Sequence, residues 1–223
     1  MNPKVKVWLQ FVVTFAVIGL VLFLLAGTIN YWQAWIYLGV CAVINIPITF
    51  YVMGNSLLLE NRTRAGPAAE KRPFQKVVAA CFGISSVAIF VVAGLDHRFG
   101  WSRVPLWLWI SGDILIVVAT WMVYRVFKEN SYGSATVEIA QGQEVISTGP
   151  YAVVRNPMYS SASVYVLAMS LALGSYWSLI PATITILGLV LRLFDEEKFL
   201  AQDLPGYAAY CAKVRWHLIP GVF

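Results

Sequence analysis

Two short stretches hold most of the residues in this chain that could do chemistry: GPYAVVRNPMY at 149–159 and RLFDEE at 192–197. Arg155, Asn156 and Pro157 read as the start of a helix, with Pro157 at the first helical position and Asn156 as N-cap. Free backbone N–H groups at such a start, with the Arg155 guanidinium beside them, would bind a carboxylate. The plainer reading is a junction between a loop and a membrane span. In the second stretch Arg192 and Glu196 are four apart and share a helix face, as a structural ion pair would. Glu197 projects about 140° from Arg192 and cannot join that pair without leaving the helix. Asp195, Glu196 and Glu197 repel one another, and an acidic rim for a cationic ligand is the sharper reading of the three. The cysteines, Cys41, Cys81 and Cys211, are scattered, with no CxxC and no paired histidines, which argues against a zinc site and against a disulfide framework.

The segment between the two stretches, 158–191, carries no charge. As one straight helix it would reach about 51 Å, against a hydrocarbon core of about 30 Å. It must fold back, and Gly174-Ser175 at its middle with Pro181 beyond predicts two short helices of about 16 residues joined near 174–177. A hairpin returns its ends to one side, so Arg155 and the 195–197 cluster face each other at one membrane surface.

The rest of the chain supplies the membrane. With 59% apolar and 12% charged residues among 223, and a mean hydropathy of +0.70, this is a polytopic membrane protein read as one domain, 1–223. The expected architecture is all-α. Four N-terminal spans occupy 1–128, at 7–29, 32–53 (broken softly by Pro47), 77–95 and 104–124; a polar loop, the hairpin and a cytosolic C-terminal segment, which the resemblance described below makes the catalytic loop and the cofactor-binding segment, occupy 129–223. The first apolar run lasts about 23 residues and reads as a retained span rather than a cleaved signal. An aqueous loop with a helical turn at 68–71 is expected over 60–76, and a short loop over 96–103. The polar segment 125–155 is either an ordered loop or holds a short β-hairpin at 135–139. A short helix is expected over 206–214, then an extended tail. With the N-terminus cytoplasmic, every Lys and Arg except Arg98 and Arg103 falls on the cytoplasmic side, and so does the C-terminus. That asymmetry accounts for the net charge of +5, and no Lys/Arg-rich tract marks a nucleic-acid partner.

Other residues have weaker claims. Asp113 lies near the middle of the fourth span, where an ionisable group is expensive and functional by default. His97 falls in an outer loop and His217 in the tail. Tyr207 and Tyr210, three apart on the short helix, either pack it on the membrane domain or line a cofactor pocket.

GPYAVVRNPMY, an apolar hairpin, RLFDEEKFL, a GYAAY element and a terminal IPG together resemble the isoprenylcysteine carboxyl methyltransferase and phospholipid methyltransferase superfamily of membrane enzymes. The resemblance covers roughly 130–223. Gly149, Tyr151, Arg155, Pro157 and Tyr159 occupy its GxYxxxRxPxY positions, Arg192, Glu196 and Glu197 its RxxxEE positions, and Gly206, Tyr207 and Tyr210 its GxYxxY element. It implies a cytosol-facing pocket for S-adenosylmethionine and a hydrophobic or lipid acceptor that enters from the bilayer. Gly149, Tyr151, Asn156, Pro157, Tyr159, Glu196 and Tyr207 are then expected to bind the cofactor. Arg155, Arg192 and Glu197 are expected to be catalytic. The pattern departs from the family's usual Arg-His-Pro at Asn156 and from a small glycine at Ser161. The NPMY form resembles the phosphatidylethanolamine N-methyltransferase branch, which weakens the case for an isoprenylcysteine substrate. An amine acceptor must lose a proton, to Glu197, His217 or Asp113; a carboxylate needs no base. The rival readings are an NADPH-dependent membrane sterol-type reductase, which has a similar C-terminal ending, and a non-catalytic membrane relative.

Overall fold

The computed structural model describes residues 3–63, 68, 70, 72–130, 132 and 143–223. The described residues form helices and contain no strand: α1 (Pro3–Ala26), α2 (Trp32–Gly54), α3 (Ser56–Thr63), α4 (Pro73–Phe99), α5 (Leu106–Glu129), a 3-10 turn (Gly149–Ala152), α6 (Pro157–Ala172), α7 (Leu179–Asp203) and α8 (Tyr207–Lys213). Four of them, Lys4–Ala26, Trp32–Gly54, Pro73–Phe99 and Leu106–Glu129, are long and apolar enough to cross a membrane. Their outward faces carry exposed Val17, Leu24, Val43, Phe50, Ile84, Ile114 and Trp121, a surface that suits lipid and not water.

The helix ends follow local chemistry. Pro73 and Pro157 open α4 and α6, each early in its helix, where the missing N–H is no loss. Gly100 closes α4 in the left-handed conformation, its N–H on the Asp96 carbonyl. The 158–191 segment does fold back, at Gly174, whose φ of +72° is a turn geometry that side chains resist. The first arm has the expected length, and the second continues through the charged cluster to Asp203, the stop expected near 203–205 where Pro205 follows. Other boundaries need correction. α4 continues through Asp96 to Phe99, where a loop is expected, because Gly100 is the first residue able to stop it. α3 occupies a stretch without a predicted helix of its own. Pro47 lies inside a continuous α2. The expected turn at 68–71 and the hairpin at 135–139, with Arg64, Lys71 and Gly142, lie wholly or partly outside the described residues.

Packing fixes the hairpin in the bundle. α6 lies on α5 so closely at Gly112 that a Cβ there would sit 2.6 Å from the Ala172 nitrogen and 2.9 Å from the Ala168 oxygen. α7 lies on α4, with the Thr185 hydroxyl 2.8 Å from that of Ser85. At one end of the bundle Asp96, 1% exposed, accepts from the Ser102 N–H (2.7 Å), the Ser102 hydroxyl (2.6 Å) and the Ser175 hydroxyl (2.5 Å), which ties the α4–α5 link to the α6–α7 turn. The other end gathers the start of α4, the start of α6 and the charged end of α7. Since backbone cannot move aside as a side-chain tip can, Gly112→Ala should lower stability by about 1–3 kcal/mol. The check is a lower melting temperature in detergent, with Gly39→Ala as control, since a Cβ there would meet nothing within 4 Å.

Candidate functional site

Arg155 and Asn156 are held by the C-terminal tail. The Arg155 N–H bonds the Trp216 carbonyl (2.8 Å), the Asn156 N–H bonds the His217 carbonyl (3.1 Å), and the Ser160 hydroxyl bonds the Leu218 carbonyl (2.7 Å). The tail is therefore laid across the segment that leads into α6, and the N–H groups of Arg155 and Asn156 are both occupied. Asn156 stands at the N-cap position but makes no side-chain cap; its amide instead donates to Glu197 Oε1 at 2.6 Å. This is a correction to the expected capping role. The side chain is oriented by its NH₂ group, which donates to the Glu197 carboxylate, a charge-assisted bond.

Glu197 is the hub of one cluster. Besides Asn156, it lies 3.4 Å from Arg155 Nε and 3.0 Å from His217 Nδ1. Arg155 Nη2 in turn lies 2.6 Å from His217 Nε2. A guanidinium only donates, and Arg155 Nη2 lies against both ring nitrogens of His217, 2.6 Å from Nε2 and 2.9 Å from Nδ1, while Nδ1 also faces Glu197. Arg155 Nε is buried and has no hydrogen-bond partner, the ion-pair distance to Glu197 notwithstanding.

A second chain of contacts runs beside the first. Tyr159 donates to Glu196 Oε2 (2.5 Å), Arg192 Nε donates to the Tyr159 oxygen (3.1 Å), and Arg192 Nη2 lies 2.6 Å from Glu70 Oε1. Arg192 and Glu196 share a helix face as expected, but Tyr159 stands between them. Burial, reinforced by Glu70 and Glu197, holds the Glu196 carboxyl above the usual glutamate range, although Tyr159 and Arg192 pull the other way. Asp195 is turned to α4, where Arg72 grips it with two nitrogens (2.7 and 2.9 Å) and Gln75 donates to it.

Four of these residues come into the picture through the structure. Glu70, 3% exposed, is the one acid in the basic stretch 61–76, and that isolation was the available signal. Arg72 and Gln75 gave none. His217 was weighed as a lone histidine of the tail and as one of three possible bases, and its place next to Glu197 depends on the tail's backbone pairing.

The remaining expected site residues are placed differently. Gly149 has φ +56°, and a Cβ there would fall 2.6 Å from Glu129 Cγ, so it is the spot where the end of α5 meets the motif; Glu129 Oε2 accepts from Thr148 at 2.8 Å. Tyr151 takes a bond from Asn130 on its hydroxyl (3.0 Å) and one from the Tyr210 hydroxyl on its carbonyl (2.7 Å). Tyr207 and Tyr210 pack with Leu204 and Val214 in a small core of their own. Tyr207 is still near enough to Glu197 for that charge, after burial, to raise its phenol pKa. Pro157 is buried. Asp113 is not brought to the cluster: it precedes Glu129 by sixteen residues along α5, about 24 Å of helix rise. Both its carboxylate oxygens are buried without a hydrogen-bond partner. Among the described residues no group of three His, Cys, Asp or Glu could hold a metal ion.

A short helix start, a cation and two carboxylates thus converge on one face from segments far apart in sequence.

Residues 107–205 match the family model of phospholipid methyltransferases.

The phospholipid methyltransferase match runs from the first turn of α5 to just past the end of α7, rather less than half of the chain, and takes in Arg155, Tyr159, Arg192, Glu196 and Glu197. Tyr207 and His217 lie beyond it. No curated protein matches the chain. Together with four helices of membrane-crossing character, the match supports a membrane methyltransferase.

Proposed function

We propose that the chain transfers a methyl group from S-adenosylmethionine to a hydrophobic or membrane-borne acceptor, at the cluster around Glu197. The observation that carries this reading is the meeting of Arg155, Asn156, Glu196, Glu197 and His217 at one end of the bundle. The donor set suits the cofactor. Arg155 Nε is a buried N–H without a hydrogen bond, ready for a carboxylate oxygen. Glu196 and Glu197 suit an ammonium group or the ribose hydroxyls.

When bound, S-adenosylmethionine supplies an electrophilic methyl group on a sulfonium, which is already a good leaving group. The chain's residues then have to align, charge-balance and dry the site. Arg155 holds the carboxylate end, oriented by His217 on one side and the Trp216 carbonyl on its own N–H. Glu196 or Glu197 holds the amino group or the hydroxyls. Arg192, fixed by Glu70, holds Tyr159 and through it Glu196. For an amine acceptor, Glu197 or the adjoining His217 would take the proton; Asp113 is too far along α5 to do so. The distribution of Lys and Arg supports a cytoplasmic position for this cluster and for both termini. Gly149 and Tyr151 act on this reading from behind, by fixing the segment that carries Arg155.

Calorimetry on the detergent-purified chain tests the proposal. S-adenosylhomocysteine should bind in the micromolar range and NADPH should not. Binding of NADPH alone would replace this reading with the reductase one. A second expectation follows from Glu196. Its carboxyl pKa lies above the ordinary 4.5, so its charge, and the grip on an amino group, is lost as pH falls through that raised value. Affinity for S-adenosylhomocysteine should therefore decline on acidification sooner than an ordinary glutamate would dictate, and Glu196→Gln should flatten the decline. For the fold the sign is opposite: a raised carboxyl pKa favours the native state at low pH and opposes it once the group ionises.

A further inference from the structure

At the end of the bundle away from Glu197 lies a cavity of about 290 Å³, walled by the start of α2, the end of α4, the α4–α5 link, the start of α5 and the α6–α7 turn. Its frame is stiff. Asp96 is locked by three donated hydrogen bonds, the Tyr31 hydroxyl bonds the Leu173 carbonyl at 2.5 Å, and the Tyr31 ring stacks on His97 with centroids 3.9 Å apart. Two residues of the wall carry buried polar atoms that no hydrogen bond satisfies: the Trp109 indole Nε1–H, a donor, and Gln33 Oε1, an acceptor. An unpaired buried polar atom is costly, and these two, of opposite sense, belong to side chains that line one cavity, where a single partner could serve both. At the cavity's lip stands exposed Arg103.

We propose that this cavity binds a phosphate ester that also carries a hydroxyl or amine. Arg103 and the Trp109 N–H take the phosphate oxygens, and Gln33 Oε1 accepts from the hydroxyl or amine. Asp96 sits in the same wall, held by three neutral donors, and its charge sets the orientation: the phosphate is kept toward Arg103 at the lip and the hydroxyl or amine end lies nearer the carboxylate. The volume admits a head group and little more. Trp32 and Trp109, on the walls, and exposed Trp101, Trp107 and Trp177 around the same end mark the depth at which indoles meet head groups. The chemistry is shared by a phospholipid head group of this leaflet and by a free phosphate ester. The site is independent of methyl transfer.

The test is native mass spectrometry of the full chain released from nanodiscs of phosphatidylglycerol or phosphatidylethanolamine, comparing wild type with Arg103→Gln and Trp109→Phe. Both substitutions leave the far-side cluster intact, so any lipid held there is common to all three samples. We expect one more tightly retained phospholipid on the wild-type chain. Retention should drop about tenfold in Arg103→Gln and about threefold in Trp109→Phe, the loss of one charged and one neutral hydrogen bond. Displacement by millimolar glycerol 3-phosphate would identify a free ester as occupant, and resistance to it a lipid. Equal retention in all three chains, each with wild-type melting temperature, would overturn the proposal, as would a wild-type chain that takes up neither lipid nor glycerol 3-phosphate.

Discussion

Glu197→Gln is expected to weaken S-adenosylhomocysteine binding by at least about 100-fold and to remove methyl transfer with it. The carboxylate gathers Asn156, His217 and Arg155, with only 11% of its side chain exposed. Amide replacement removes the charge and puts an NH₂ where an acceptor stood, leaving the buried Arg155 guanidinium unbalanced at a cost of about 3–5 kcal/mol. Glu197→Asp keeps the charge, shortens the reach and should recover part of the binding. A further sign separates a site from a mere structural knot. His217 Nδ1 lies 3.0 Å from the Glu197 carboxylate, so an Nδ1–H resonance protected by that contact should be visible by NMR in wild type and vanish in Glu197→Gln. Unchanged affinity for S-adenosylhomocysteine in a folded Glu197→Gln chain would show that this cluster is not the cofactor site.

The ends of the hairpin were legible because membrane thickness is a hard constraint. An uncharged run too long for one crossing and interrupted by Gly174 has one economical solution, and that solution brings 149–159 to 192–197. Which carboxylate meets which partner was not legible. Helix periodicity pairs Arg192 with Glu196, yet Tyr159, from the other arm, sits between them, and Arg192 reaches past to Glu70. Such choices depend on the relative rotation of α4, α6 and α7, set by close approaches such as that of Gly112 on Ala168 and Ala172, which no single-helix pattern contains. The contacts of His217 with Arg155 and Glu197 were not legible for a different reason. His217 is fixed by two backbone hydrogen bonds between the tail and the segment that leads into α6, and backbone pairing leaves little trace in side-chain types. Asp113 looked central on the sequence and is remote in the fold, because α5 continues to Glu129 and moves the motif end farther away.

The pair Arg192 and Glu70 allows structural and functional contributions to be separated. Their side chains are 14% and 2% exposed and 2.6 Å apart, so removing either charge alone should be severe: about 3–5 kcal/mol for Arg192→Met or Glu70→Leu, with a matching drop in melting temperature. A buried ion pair is nevertheless a poor source of stability when compared with packed apolar groups of similar size. The double variant, Glu70→Leu with Arg192→Met, should therefore regain most of the lost melting temperature. Methyl transfer should not return. Tyr159 would lose the Arg192 donor that balances its own donation to Glu196, and Glu196 would lose both the Arg192 charge that holds its pKa down and the Glu70 charge that holds it up; the first is the larger, so Glu196 would take its proton at somewhat higher pH. The acid limb of S-adenosylhomocysteine binding should move upward in the double variant, a shift that a purely architectural pair would not produce. Recovery of both stability and transfer would assign Arg192 and Glu70 to the scaffold and leave the chemistry to Arg155 and Glu197.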